Sequence, residues 1–533
     1  MMTKLTGPLL ACTAALALAS GAVAQERPLR LDESAVGEID PAKAVDYADT
    51  VLAVNLYESL VYPTRGGAGV QPWLAQSWEV DGLSYTFTLR DHATFASGNP
   101  VTAADVVYSF ERLMTMGQGN ASLFEGRVAS VEALDEKTVK FTLAEPFAPF
   151  LAATSRLSIV DSKLAMSHQG EGTFGAFGDY SSDWISANSA GSGAYMVTEH
   201  DPQIQTVMVP NPHYDGDPAD PVAPDQVTYR YSLEASTVRA LMARGEHDVS
   251  SQWLPPEVFK AMAAEGSVHL EQEPGGTGEY IKLNTVRAPL DDVHCRRALM
   301  YAYDYATTLQ LVGVTDDIAL GIPMNGALPQ GLLGADIDAA PFAQDMEKAK
   351  EELGQCQYDI ADYPLDIAWI AEVPARERLA LLMQASFTQL GFKVNVVRTP
   401  WALVSEQVTN PETAPHAVEI SVSALTPDPD SLLFNMYSST VPPTWMSAEH
   451  LEDAETDRLL DAGRLETDPE KRAEIYRELN THLRDLAPDI FAYEFTAVYA
   501  VRNGVEIPNL KDPQKRYSTS GYSMLFKDMQ VLN

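Results

Sequence analysis

Between residues 86 and 114 the spacing of apolar positions switches from that of a strand to that of a helix. Phe87 and Leu89 alternate with Thr86, Thr88 and Arg90, the period of two that predicts a half-buried strand. Ser97-Gly98-Asn99-Pro100 predicts a turn, since glycine tolerates positive φ and proline fixes its own. Val106, Val107, Phe110 and Leu113 then recur at helical spacing, and Thr102 with Asp105 forms a Thr-x-x-Asp capping box at the helix start. The unit is locally well specified, yet it carries no side-chain arrangement suited to catalysis. It is scaffold, or the chain's work is not catalytic.

A second pattern lies between 364 and 423. "PLDIAWI" places Leu365, Ile367 and Trp369 on one strand face, and "ARERLALLMQASFTQLG" predicts a helix with Leu379, Leu382, Met383 and Leu390 inward and Gly391 as its stop. "FKVNVVR", "PWALVSEQVTN" and "AVEISVSAL" continue as strand, helix and strand. Such alternation requires parallel pairing with crossover helices, hence an α/β lobe. Ligands of open parallel sheets bind beyond the carboxyl ends of the strands. Those ends are Ala371-Glu372-Val373, Thr399-Pro400-Trp401 and the run Leu425 to Asp430. Near the carboxyl terminus, Asp468-Pro469 opens a long amphipathic helix with Ile475, Leu479, Leu483 and Leu486 as its expected apolar stripe; Pro488 ends it and "IFAYEF" resumes as a strand.

The ends and the composition give the chain an address. Lys4, an apolar stretch and Ala22-Val23-Ala24 have the form of an export leader, so residues 1–24 are expected to be removed after Ala24. Leu9-Leu10-Ala11-Cys12 faintly resembles a lipoprotein cleavage box, but a cut there leaves too short an apolar core. No later run reaches the roughly 20 apolar residues of a membrane helix. The chain has 533 residues, enough for about three domains at roughly 150 residues each. Its formal charge of −37 disfavours nucleic acid and anionic lipid as partners. Cys295 and Cys356 remain after export; they either pair, as the oxidising compartment permits, or serve as small buried hydrophobes.

Several stretches come in a familiar order: "NLYESLV" (55–61), "PWLAQSWEVDGLSYTFTLRDHATFASGNPVTAADVVYSFERL" (72–113), "SGAYMV" (192–197), "NPHYDGDP" (211–218), "YIKLNT" (280–285), "VHCRRALMYAYDY" (293–305) and "TPDPDSLLF" (426–434). The chain resembles the extracytoplasmic solute-binding proteins of oligopeptide, dipeptide and nickel ABC importers, family 5. The resemblance implies an α/β, two-lobed periplasmic-binding-protein fold with an additional third domain. The implied layout is 25–56, 190–283 and 494–533 for lobe I, 57–189 for the extra domain and 284–493 for lobe II, with chain crossings near 283 and 494. It further implies a monomer in the periplasm that closes over a small solute or peptide and docks on an inner-membrane permease, without membrane insertion, cofactor, metal or catalytic residues.

Resemblance and strand ends together nominate Trp401, Tyr280, Trp253 and Asp428 as ligand-binding residues. For each aromatic the alternative is core packing; for Asp428 and Asp430 it is loop capping. The rival functions are an exported hydrolase, for which no Gly-x-Ser-x-Gly, His-Glu-x-x-His or P-loop sequence is present, and a calcium-binding protein using "DGDPAD", which lacks the twelve-residue ligand pattern. Presentation of a ligand to a chemoreceptor is a third reading. One departure from the resemblance matters: peptide-binding members place an aspartate for the peptide ammonium where Leu425 stands here. An ammonium buried against leucine lacks its counter-charge, a cost of several kcal/mol. Free-amine peptides are therefore expected to bind no better than their N-acetylated forms in a calorimetric titration; a strong preference for the free amine contradicts this.

Overall fold

The computed structural model describes residues 26–532 apart from 45, 66–68, 217–221, 337, 374, 513–516, 518 and 520. The expected leader and its cut, and most of the acidic stretch 215–220, lie outside the described residues.

Two long strands, Val268–Leu283 and Asp489–Arg502, pair antiparallel along most of their length. "DIFAYEFTAVYAVR" is rich in β-branched and aromatic residues and is buried almost throughout, as a strand covered on both faces must be. Ala497, Tyr499 and Val501 point into one core and Val498 and Ala500 into another. The ladder is interrupted twice. Pro274 pairs with Thr496 and the next pair is Gly278 with Glu494; then Glu279 pairs with Tyr493 and Tyr280 with Phe491, which leaves Ala492 without a partner. After that bulge Phe491 enters a third core. Gly276 sits at φ +56 in the first interruption, where a side chain is strained, and a Cβ on Gly278 would lie 2.4 Å from the Tyr280 ring.

Around this pair stand two lobes. In the first, Pro28–Glu33 runs parallel to Gln226–Tyr231, and Gln205–Pro210 and Tyr195–Asp201 follow antiparallel. In the second, the strand order is Gly321–Ile322, Asp489–Arg502, Val268–Leu283, Ala417–Ser423, Leu365–Ile370, Val394–Thr399. Leu365–Ile370 is parallel to both Val394–Thr399 and Ala417–Ser423, as the strand–helix alternation predicts.

The unit 86–114 belongs to a separate body with its own core. Its four-stranded antiparallel sheet has the order Ala75–Asp81, Ser84–Leu89, Thr138–Leu143, Val128–Ala133, and helix Ala103–Met116 packs on it. The capping box forms: Thr102 N donates to Asp105 Oδ2 at 2.8 Å. Asp105 Oδ1 also accepts from Ser162 N and Oγ at 3.1 and 2.6 Å, so the capping acid ties in the later helix Ser162–Ser167. Gly117, at φ +62, ends the helix.

The long helix Pro469–Leu486 corrects one expectation. Its buried face is Arg472, Tyr476, Leu479, Asn480 and Leu483, while Ile475 and Leu486 are half-buried. The face is rotated because two polar side chains have internal partners: Arg472 pairs with Asp428, and Asn480 Oδ1 accepts from Ala327 N at 2.7 Å. In helix Ala375–Gln389, Leu382 is likewise only half-buried, whereas Phe387 and Arg376 face inward.

Cys295 and Cys356 form a disulfide across a sequence separation of 61 residues, fastening helix Val293–Ala302 to the end of helix Met346–Leu353. Asp292 lies beside the two sulfurs, but with the sulfurs bonded to each other neither is a thiolate able to hold a metal. The native protein is expected to show no titratable thiol after export, and the Cys295→Ala, Cys356→Ala pair to lose about 2–4 kcal/mol in urea unfolding; two free thiols in the native state contradict the bond.

Candidate ligand-binding cleft

In the first lobe the parallel strands end at Glu33 and Tyr231. Glu33 is buried; its Oε1 accepts from Ser34 N at 2.9 Å and Ser251 Oγ at 3.3 Å. Nearby, the Tyr47 and Tyr499 hydroxyls are 2.5 Å apart, and Tyr499 donates to Glu273 Oε2 at 3.0 Å. Glu273 pairs with Ala497, one residue ahead of Pro274, the last pair before the first interruption of the long ladder. These acids and phenols form a polar cluster, with Glu33 at a strand end and Glu273 and Tyr499 buried within the long ladder. Trp253, 47% exposed, stacks on Phe495 with ring centroids 5.5 Å apart, beside the same interruption.

In the second lobe Trp401 is half-buried and edge-on to Trp445 at 5.6 Å; Glu372 accepts from the Trp401 backbone N at 2.9 Å and so fixes the helix start. Three contacts join regions expected to be separate bodies. Arg378 and Glu257 form an exposed ion pair at 2.8 Å. Ala148 N donates to Arg464 O at 2.8 Å. Arg156 donates to Leu425 O and, at 2.7 Å, to Thr50 Oγ1, with its guanidinium 5.0 Å from the Tyr522 ring centre.

Of the four nominated residues, Trp401 and Trp253 keep accessible aromatic surface at the strand ends and beside the ladder interruption. Tyr280 and Asp428 do not. Tyr280 is fully buried and donates to Ala327 O at 2.7 Å, the core alternative weighed for it. Asp428 is held by Arg472 at 2.5 and 2.8 Å and accepts from Asp430 N at 2.9 Å, while Arg464 clamps Asp430 at 2.7 and 3.2 Å. The Asp-Pro-Asp loop is thus an internal cap. Glu33 was not nominated from the sequence, although the alternation in "PLRLDE" marks a strand ending there; Arg156 gave no signal, since its contacts lie more than a hundred residues distant in sequence.

Residues 69–443 match the family described as bacterial extracellular solute-binding proteins, family 5 Middle. The chain belongs to the family 5 bacterial extracellular solute-binding proteins. A probable D,D-dipeptide-binding periplasmic protein of Escherichia coli K12 is 30% identical over 480 residues, 86% of each chain. An ABC transporter substrate-binding protein of Listeria monocytogenes superposes with a TM-score of 0.81 at 21% identity, covering 95% of this chain and 99% of that one. A Helicobacter pylori periplasmic binding protein, solved with the peptide STSA, gives 0.78 at 22% identity, covering 95% and 98%. The last two establish likeness of fold. No helix among the described residues is long and apolar enough to cross a membrane.

This family 5 protein buries several acids at the junction of its strands. Lys282 sits 2.9 Å from Glu449 and 3.8 Å from Asp489, with Tyr437 donating to Asp489, all fully buried. One cation cannot neutralise two carboxylates, and burial, partly opposed by Lys282, pushes Glu449 up to about 8. On the opposite face Arg376 binds Glu279 at 2.6 Å, with Glu419 buried beside them; burial and Glu279 raise Glu419 well above its ordinary value. Burial also lifts Glu33 to about 8 and Glu494 to about 7.

Each of these acids holds its proton in the folded state over a range where the unfolded chain has lost it. Stability therefore falls as pH rises from the unfolded carboxyl value to the folded one. Calorimetry is expected to show the ligand-free melting temperature declining between about pH 5 and about pH 8, with part of the decline removed in Glu419→Gln. A flat or rising profile contradicts it.

Proposed function

We propose that this protein captures a small organic solute, a short or modified peptide among the candidates, reversibly between its two lobes in the periplasm and delivers it unchanged to an inner-membrane ABC permease. Family membership and the fold support the clamp. The observation that carries it is the pair of strands passing from one lobe to the other, interrupted between Pro274 and Gly278 on one side and Glu494 and Thr496 on the other. We place the hinge there, earlier than residue 283 on the first strand, because a ladder bends where its hydrogen bonds are missing and a glycine accepts φ +56. Arg378–Glu257 at the rim is a contact that closing makes and opening breaks.

The rest of the notional layout follows: 57–189 as the extra domain, and a monomer without cofactor or metal. The relative named for D,D-dipeptides favours peptide-like guests. Leu425, apolar at the crevice, disfavours a guest held by its ammonium. Trp401 is the aromatic on which a planar or apolar part of the guest rests.

A thermal-shift screen across peptides, opine-like compounds, amines, sugars and metal ions tests the proposal. A true guest at 100 times its dissociation constant adds about 2.7 kcal/mol to stability. With that guest, Trp401→Ala is expected to weaken binding by about 1–3 kcal/mol in a calorimetric titration; unchanged affinity assigns Trp401 to packing instead.

A further inference from the structure

The polar cluster of the first lobe begins one residue from the interruption of the long ladder. In strand Pro28–Glu33 the side chains of Leu29 and Leu31 enter the first-lobe core, so by alternation Glu33 follows them while Arg30 and Asp32 point the other way. Glu33 accepts from Ser251 Oγ, which in turn accepts from Trp253 N at 3.2 Å. On the same core, Tyr47 at the start of helix Tyr47–Leu56 meets Tyr499, and Tyr499 meets Glu273. Burial, then Glu273, then Glu33 push the Tyr47 hydroxyl well above its ordinary value, so both acids lie close to one phenol. Glu33, Glu273 and Tyr499 are buried, whereas Tyr47 keeps part of its surface exposed.

No base answers the acid at Glu33, which has no ion-pair partner among the described residues. Asp32 neighbours it on its own strand, Asp46 and Tyr47 stand at the helix start, and Tyr229 and Tyr231 come from strand Gln226–Tyr231. Ser251 comes from the loop, and Tyr499 and Glu273 from the long ladder. All are acids, phenols or a hydroxyl. The cations of the neighbourhood are taken: His247 lies 2.6 Å from Asp32, Arg30 and Arg502 hold Asp248 at 3.7 and 2.6 Å, and Arg230 donates to the Glu246 carbonyl at 3.1 Å. His200 is behind Tyr231, with its Nδ1 2.7 Å from Thr206 Oγ1. An ionised carboxylate without a counter-charge is strongly disfavoured in such a place, so this conformation takes the neutral acid. Burial accordingly lifts Glu33 to about 8.

The cluster reaches the crevice at two points: Glu33 is a carboxyl strand end, and Trp253, at the far end of the Ser251 link, is 47% exposed. We propose that closing of the clamp is coupled to proton uptake by the cluster of Glu33, Tyr47, Tyr499 and Glu273, so that acid medium favours the closed form and alkaline medium the open one. A bend between Pro274 and Gly278 parts the lobes beside Glu273 and admits water to the cluster, where the acids regain their ordinary ionisation. The inference rests on the solute-capture reading and adds a control to it: a solute is held more tightly on the acid side and released as pH rises. Protonation favours the closed form fully below the carboxyl value of the open form, and the advantage is lost as pH rises through the closed-form value. Within that window each linked proton changes the closed-to-open ratio by at most about tenfold per pH unit.

The test follows lobe closure in the full mature protein by energy transfer. Lys260→Cys and Leu381→Cys carry one fluorophore on each lobe, a helical turn from the touching pair Glu257 and Arg378; both sites are exposed, and the native cysteines, bonded to each other, take no label. Without solute and at constant ionic strength, the closed fraction is expected to fall between about pH 5 and about pH 9. The fall should be lost when Glu33→Gln and Glu273→Gln are combined, since their amides stay neutral throughout. Melting curves confirm folding, and where the double variant does not fold, each single variant is expected to flatten the profile in part. A flat profile in the labelled parent overturns the coupling. So does a fall that persists undiminished in the variants, which assigns it to histidines or to net charge. Both leave solute capture standing; a thermal-shift binder that leaves energy transfer unchanged counts against the clamp itself.

Discussion

The structure depends on one antiparallel ladder being buried on both faces. Strands Val268–Leu283 and Asp489–Arg502 contribute alternate side chains to different cores, so neither lobe holds together without the segment it shares with the other. Burial on two faces explains why the second strand is nearly continuous in apolar and aromatic residues. Pairing between the two long strands lapses only at the register shifts, and the one between Pro274 and Gly278 is where the hinge is proposed.

The same burial creates an electrostatic problem at the second lobe. Glu279, Lys282, Glu419, Glu449 and Asp489 lie on or beside the shared strands with almost no exposure. Moving a charge out of water costs several kcal/mol unless it is paired. Lys282 and Arg376 supply part of the compensation, and protonation of the remaining acids supplies the rest. Buried charge here is a source of pH sensitivity more than of net stability. The external pairs are different: Arg378–Glu257, with both side chains 54% exposed, contributes little to stability but is well placed to report lobe contact.

Much of the fold was legible because local signals agreed with their surroundings. The capping box at Thr102 and Asp105, the parallel run from Leu365 to Ser423 and the strand after Pro488 all rest on short-range patterns. Errors arose where a polar residue was buried by a distant partner. Arg472 and Asn480 rotated the expected face of their helix, since periodicity counts only apolar positions. Tyr280 and Asp428 look like site residues in sequence, but a carbonyl and an arginine far along the chain absorb their polar atoms. Arg156 shows the converse. Nothing adjacent marks it, and only the meeting of three segments supplies its contacts.

Small-angle scattering of the mature protein, with and without a solute confirmed to bind tightly, tests the clamp most directly. The account predicts a smaller radius of gyration in the loaded state, with the solute recovered chemically intact. Identical scattering in the two states, or a solute recovered altered, contradicts it.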